Sequence, residues 1–373
     1  MSTHQPRLRN RSALTTTWRA ALLAGLTLLL MVLLLGVPAA RASYLTGLGD
    51  EQPAMFSNPL YQWLGTKIAR DIVPYDVVDQ PADLATFEAW YAGARADGVV
   101  PLVAFYHSRA TPLRMPSPAS YRVEIAKFIS MFPGIRSYQP WNEANRGNVA
   151  GQFDSPSAAL AAKYYLALKA ACHGCQVVGL DVLDGSNIKP TITYIKRFQA
   201  ALRGGHHALP TIWGLHNYSD TNRLRSSGTK AVLKALSGQI WLTETGGIVQ
   251  FGSEFPNKGG KGLTRAAKAL RYMFTLAASS PRIKRLYIFQ WTGSTAAVRF
   301  DAGLIGPEGL PRPGYLVVCQ HLLGARRSAC SAPASATAPL PSSPSSTYGA
   351  PVALSALTPL LGGLPVGGSL LSS

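Results

Sequence analysis

Eight short apolar runs rich in β-forming residues recur along the chain, near residues 44–49, 67–73, 99–105, 137–141, 176–181, 211–216, 239–243 and 285–290. They start roughly twenty to forty-odd residues apart, enough for a strand, a loop and a returning helix. The stretches between them carry helical spacing. Leu84, Phe87, Trp90 and Tyr91 recur at three- and four-residue steps, and Val123, Ala126, Phe128 and Ile129 do so with one misstep. Pro118-Ala119-Ser120 and Asp154-Ser155-Pro156-Ser157 are helix-start signals. Strands alternating with helices predict a parallel sheet. Eight such units predict an α/β fold of the closed (β/α)8 TIM barrel type, with its working groups at the carboxyl ends of the strands. An open, doubly wound sheet competes with this reading. It normally carries a glycine-rich phosphate loop after its first strand, and Gly47-Leu48-Gly49-Asp50 does not continue into one.

Both ends of the chain differ from this pattern. Residues 1–42 read as a signal peptide: Arg7, Arg9, Arg11 and Arg19 precede an apolar run over 20–37, and Ala40-Arg41-Ala42 offers a cleavage site before Ser43. The alternative is an uncleaved membrane anchor through residues 20–37, whose length sits at the lower edge of what spans a bilayer. Either way the remainder is expected to be extracellular. Residues 331–373 contain no charged side chain and read as a disordered Ser/Pro/Ala-rich tail. The (β/α)8 barrel is therefore expected over residues 43–330.

The net charge is +18, and five of the arginines lie in the leader. The remaining Lys and Arg are dispersed and form no stripe or known module, so no nucleic-acid partner is expected. Association with an anionic cell wall or polysaccharide suits the charge equally well. Four cysteines in an exported chain predict disulfides. Of three pairings, Cys172–Cys175 with Cys319–Cys330 is the local one. A redox centre or half a zinc site at Cys172-His173-Gly174-Cys175 fits less well, since no second Cys-x-x-Cys follows.

Two of the apolar runs end in a carboxylate. Tyr138-Gln139-Pro140-Trp141-Asn142-Glu143 and Ile240-Trp241-Leu242-Thr243-Glu244 each bury a strand and present a glutamate at its carboxyl end. A facing pair of carboxylates is the minimum equipment for cleaving a glycosidic bond. A solvated carboxylate or loop salt bridge is the ordinary role of a glutamate at a strand end.

The arrangement resembles the clan A glycoside hydrolases, particularly the family 5 pattern, across most of residues 44–323. The resemblance implies that Asn142-Glu143 closes strand four with Glu143 as general acid/base, and that Glu244 closes strand seven as nucleophile. It further implies a substrate-binding set of Arg70 in strand two, His107 after strand three, Asn142, His216 and Tyr218 after strand six, and Trp291 after strand eight. Arg70 departs from the pattern in sitting early in its strand, ahead of Ile72, Val73 and Pro74. Trp291 would be the apolar platform under a sugar ring. For His216 and His107 a buried core role is the alternative, and for Arg70 an internal ion pair.

Asp50, Tyr106, Asp181, Asn187 and Glu254 fall near the same mouth without a specific pattern, and Trp213 and Trp241 read as core. No phosphate loop, calcium loop or His-Glu-x-x-His segment occurs, so no cofactor and no metal site is assigned. His206-His207 reads as an exposed loop pair. The expected activity is a retaining O-glycoside hydrolase acting on a polysaccharide or glycoconjugate. The alternative is a catalytically silent carbohydrate-binding protein on the same barrel. Oligomeric state is not readable.

Overall fold

The computed structural model describes Met1 and residues 44–147, 155–295, 297–324 and 330. The leader, the anchor alternative over residues 20–37 and the tail lie outside these residues, as does Asp154. Among the described residues no helix is long and apolar enough to cross a membrane.

Eleven strands follow in chain order: β1 (Leu45–Gly49), β2 (Ile68–Pro74), β3 (Val100–Tyr106), β4 (Ser137–Gln139), β5 (Gln176–Val177), β6 (Asp181–Leu183), β7 (Ile212–His216), β8 (Gln239–Thr245), β9 (Gln250–Phe251), β10 (Ile283–Phe289) and β11 (Phe300–Asp301). Nine of them form one parallel sheet in the order β5-β4-β3-β2-β1-β10-β8-β7-β6. Its two ends, β5 and β6, are halves of a single extended segment. Val178 N donates to Tyr138 O on the β4 side (2.9 Å), Gly179 N donates to Ile212 O on the β7 side (2.9 Å), and Gly214 N donates to Leu180 O (2.8 Å). The segment thus passes its hydrogen bonds from one neighbour to the other and closes a barrel of eight strand positions. β9 and β11 form a separate antiparallel ribbon at the mouth.

Helices return between the strands. Prolines at their first turns and side-chain caps explain where several begin. Asn58 accepts from Leu60 N ahead of Pro59–Leu64, Ser117 accepts from Ser120 N ahead of Pro118–Met131, and Ser157 accepts from Leu160 N ahead of Ala158–Ala171. In Pro81–Ala96 the expected face is buried through Phe87 and Trp90. In Pro118–Met131 it is shifted. Tyr121, Ile125 and Phe128 face the core, whereas Val123 and Ala126 are exposed. The buried steps of four and three run through a tyrosine, whose hydroxyl reaches Pro140 O at 2.5 Å.

The barrel interior is filled in layers. Ile68, Leu102, Val178, Ile212, Trp241 and Tyr287 form one apolar layer, while Trp213 packs outward among the helices. Two residues further along β2 and β7 the interior turns polar, at Arg70 and Gly214. Gly214 has to be glycine, because a Cβ there would lie 2.1 Å from Asp181 Oδ1. Both expected disulfides are present, Cys172–Cys175 and Cys319–Cys330, which suits an oxidising environment.

Candidate active site

β8 carries Glu244, and a local irregularity in that strand aims it. The pairing of β8 slips against both neighbours near its end, between Gly214 and His216 on β7 and between Leu286 and Ile288 on β10. Regular alternation would send Thr243 and Glu244 to opposite faces. A bulge of this kind re-aims a side chain, and both residues point into the barrel. Thr243 Oγ1 hydrogen-bonds Asp181 Oδ1, and Glu244 Oε2 accepts from Arg70 Nη1 at 2.8 Å.

Glu143 reaches the same point from the turn after β4. Pro140 ends the ladder, and Glu143 adopts a left-handed backbone with φ of 45°, an uncommon conformation for a non-glycine residue. Its backbone N–H donates to Asp181 Oδ2 (3.3 Å) and the following Ala144 N donates to Asp181 O (3.0 Å), which hold the turn in place. One carboxylate oxygen of Glu143, one of Glu244 and a ring nitrogen of His216 all lie within 4.8 Å of one another, and all three residues are buried.

The remaining expected residues assemble around this pair. Arg70 spans the site: Nε donates to Gln139 Oε1 (2.6 Å), Nη1 to Glu244 Oε2 (2.8 Å) and Nη2 to Asn142 Oδ1 (2.6 Å). Its early place in β2 is no obstacle, because the long side chain extends toward the mouth. Tyr218 donates to Glu244 Oε1 at 3.1 Å. His216 Nδ1 lies 2.9 Å from Glu143 Oε1 and its Nε2 lies 2.8 Å from Asp181 Oδ2.

Glu143 Oε2 and Asn142 Nδ2 are among the buried side-chain atoms with no hydrogen-bond partner. Such groups call for an explanation, and here each sits on a side chain whose other polar atom is already engaged.

The charges follow from this packing. Burial pushes the Glu143 carboxyl up and Glu244 adds to the rise, while His216 and Arg146 oppose it. Burial alone would lower His216, but Asp181 and Glu244 outweigh it and raise the ring to about 10. Burial would raise Asp181, yet His216 and Arg70 hold it below the usual range. Tyr218 is pushed well up by burial and by the two glutamates, so its hydroxyl remains a donor.

His107 packs against Tyr106 beside the site, and Trp291 lies in the core. The His107 ring packs on Tyr106 at 4.2 Å, and the Tyr106 hydroxyl accepts from Arg146 Nη1 (2.6 Å), whose Nε is 3.8 Å from Glu143 Oε2. Trp291 is 2% exposed and packs edge-on between Tyr61 and Tyr315 in the main core. β10 ends at Phe289, one residue earlier than expected, so Trp291 turns outward, and the structure does not bring it to the carboxylates. Phe289 instead lines the mouth with Tyr218, Phe251 and Phe300.

Sequence reading also undervalued Asp181, Gln139, Arg146 and Phe289. Only Asp181 carried a signal, as the polar residue ending an apolar run. Asp50 and Glu254 have local roles, Asp50 accepting from Thr292 N at 2.6 Å and Glu254 pairing with Arg223.

Glu143, His216 and Glu244 are the described residues with the spacing of a metal site. The donors fit a cation poorly. A ligating imidazole must be neutral, whereas His216 is shared between Glu143 and Asp181, and the Arg70 guanidinium already neutralises Glu244.

No family model and no curated protein matches the chain. Solved structures do. A study of two fungal beta-1,4-galactanases gives a TM-score of 0.57 at 14% identity, covering 74% of this chain and 98% of that one. Xylanase 10B from Thermotoga maritima gives 0.54 at 13% identity, over 78% and 98%. GH5_18 from Streptomyces cattleya, in complex with GlcNAc, gives 0.51 at 15% identity, over 80% and 82%. A family 39 glycoside hydrolase from Bacteroides cellulosilyticus is spanned over 62% of its own length. The galactanase, xylanase and GH5_18 neighbours are glycoside hydrolases of clan A, and this chain shares their (β/α)8 fold.

Proposed function

We propose that the chain is a secreted, retaining O-glycoside hydrolase acting on a polysaccharide or glycoconjugate. The single observation carrying this reading is that Glu143 and Glu244, from opposite parts of the barrel, bring carboxylate oxygens within 4.8 Å. Retaining enzymes keep their two carboxyls about 5–5.5 Å apart, and inverting enzymes hold them farther apart to admit a water.

Glu244, fixed between Arg70 and Tyr218, attacks the anomeric carbon. Glu143 gives its proton to the departing glycosidic oxygen as the carbon–oxygen bond breaks, leaving a glycosyl ester on Glu244. In the second step Glu143 takes a proton from water, the water oxygen bonds the anomeric carbon, and Glu244 is released as carboxylate. Because His216 occupies Oε1, Oε2, which has no hydrogen bond and lies 3.8 Å from Arg146 Nε, is the oxygen that carries the moving proton. Arg70 holds Asn142 through Oδ1 and leaves Nδ2 to donate to a sugar hydroxyl. The two disulfides and the basic charge suit an extracellular setting near an anionic wall.

The test is a glycan panel assayed with wild type, Glu143→Ala and Glu244→Ala. Both variants are expected to lose at least about a hundredfold in activity. With an activated aryl glycoside, azide is expected to restore part of the Glu143→Ala rate by attacking the trapped intermediate. Equal rates in all three proteins end the proposal. Glycan affinity without turnover in wild type identifies a binding protein instead.

A further inference from the structure

We propose that Asp181 is a positioning residue of this site, whose buried carboxylate holds His216 as the charged donor to Glu143 and so confines the transferable proton to Oε2. The inference rests on the glycosidase reading. It concerns a residue that touches neither reacting carboxylate with its own side chain.

Asp181 opens β6 and is fully buried. Its two oxygens gather residues from β2, β7, β8 and the turn after β4. Oδ2 lies 2.8 Å from His216 Nε2, 3.3 Å from the backbone N of Glu143 and 3.8 Å from Arg70 Nη2, and Oδ1 accepts from Thr243. The fold makes room for it, since a side chain at Gly214 would collide with Oδ1. A satisfied structural aspartate needs only neutral donors. Here an imidazole and a guanidinium converge on one carboxylate, at the residues that hold the acid and the nucleophile.

The charged groups facing His216 come from every neighbouring element: Asp181 from β6, Glu143 from the turn after β4, Glu244 from β8 (3.8 Å to Nδ1) and Arg70 from β2 (3.5 Å to Nε2), with the Tyr218 hydroxyl beside Glu244. With Asp181 ionised, both ring nitrogens of His216 keep their protons, and Nδ1–H donates to Glu143 Oε1. When Glu143 releases its proton to the leaving oxygen, no proton moves from His216. The existing hydrogen bond becomes one between an imidazolium and a carboxylate, which strengthens it in the glycosyl-enzyme state. Remove the charge of Asp181 and the ring loses a proton near neutrality, free to accept from Glu143 and divert its proton from Oε2.

Asp181→Asn, of nearly equal shape, is the variant to make in the full chain. Its kcat/KM is expected to fall at least about tenfold near pH 7 and to recover partly near pH 5, where an ordinary imidazole regains its charge. Thr243→Val cuts another bond to the same carboxylate without changing charge, and is expected to keep the wild-type pH optimum. An Asp181→Asn profile parallel to wild type, with only a lowered unfolding temperature, overturns the proposal.

The ring-nitrogen NMR shifts of His216, assigned by the signal lost in His216→Gln, give a second measurement on wild type itself. An imidazolium at about pH 8 supports the proposal, and a neutral ring at about pH 7 overturns it even if Asp181→Asn does not fold. That readout needs no turnover. Failure of the glycosidase reading, seen in the Glu143 and Glu244 variants, is therefore distinguishable from failure of this one.

Discussion

Arg70 shows how one side chain can hold a site together. It is 1% exposed, and its three donor groups end on residues from β4, the turn after β4 and β8. Burying a guanidinium is costly unless its partners are equally fixed. Arg70→Met leaves Glu244 charged, buried and without its cation, and is expected to cost about 3–5 kcal/mol of stability. Urea unfolding measures the loss. Arg70→Lys should recover little activity, because a single ammonium cannot bridge three acceptors in a plane. Tyr218→Phe is milder. It removes one 3.1 Å hydrogen bond to Glu244 and no buried charge, so kcat/KM should fall about ten- to a hundredfold. Its unfolding temperature should stay near wild type. A rate equal to wild type would remove Tyr218 from the site. The residues legible in the sequence were those whose type announces chemistry at a strand end: Asn142, Glu143, His216, Tyr218 and Glu244. Asp181 announced itself only as a polar residue ending an apolar run, because its importance lies in which elements it meets, and that depends on barrel closure.

Elements were easier to locate than to aim. The apolar runs placed every barrel strand, since buried parallel strands must be apolar on both faces. Direction was lost where the ladder is irregular. The slip in β8 turns Thr243 and Glu244 the same way, and the end of β10 at Phe289 turns Trp291 into the core. Both depend on pairing with neighbours far along the chain, which no local pattern records. The cysteines were legible from spacing alone, and they allow a prediction at this scale. Cys319–Cys330 closes a separation of 11 residues and Cys172–Cys175 one of 3. By loop entropy the first is expected to stabilise by about 3 kcal/mol and the second by under about 2 kcal/mol. Cys319→Val with Cys330→Ala should therefore lower the unfolding temperature more than Cys172→Ala with Cys175→Ala. The reverse order would show that the shorter bridge holds native contacts beyond the loop it closes.

At the scale of the whole molecule, the buried charges of the site make stability depend on pH in a direction that can be worked out. His216 titrates near 6.5 when unfolded and is raised to about 10 in the folded barrel. Folding therefore favours its protonated form. The stabilisation is fully present below about pH 6.5 and is lost as pH rises through about 10. Asp50 has the same sign, being pushed from 3.8 to about 6 by burial against its backbone hydrogen bonds. Its contribution is spent by about pH 6, whereas Asp184, which burial raises from 3.8 to about 8, adds to the decline up to about pH 8, so His216 is read from the difference between wild type and His216→Gln. Asp181, held below its usual range, has the opposite sign and acts only in acid: its stabilisation is present above 3.8 and is lost as pH falls through its lowered folded value. Wild type should accordingly unfold at progressively lower temperature from about pH 6.5 to about pH 10. His216→Gln, which cannot titrate, should flatten that decline while being less stable at pH 6 to 7, where the charged ring is lost. Scanning calorimetry across this range is the check. A wild-type profile that is level from pH 6.5 to 10 would mean that the ring is neutral in the folded state.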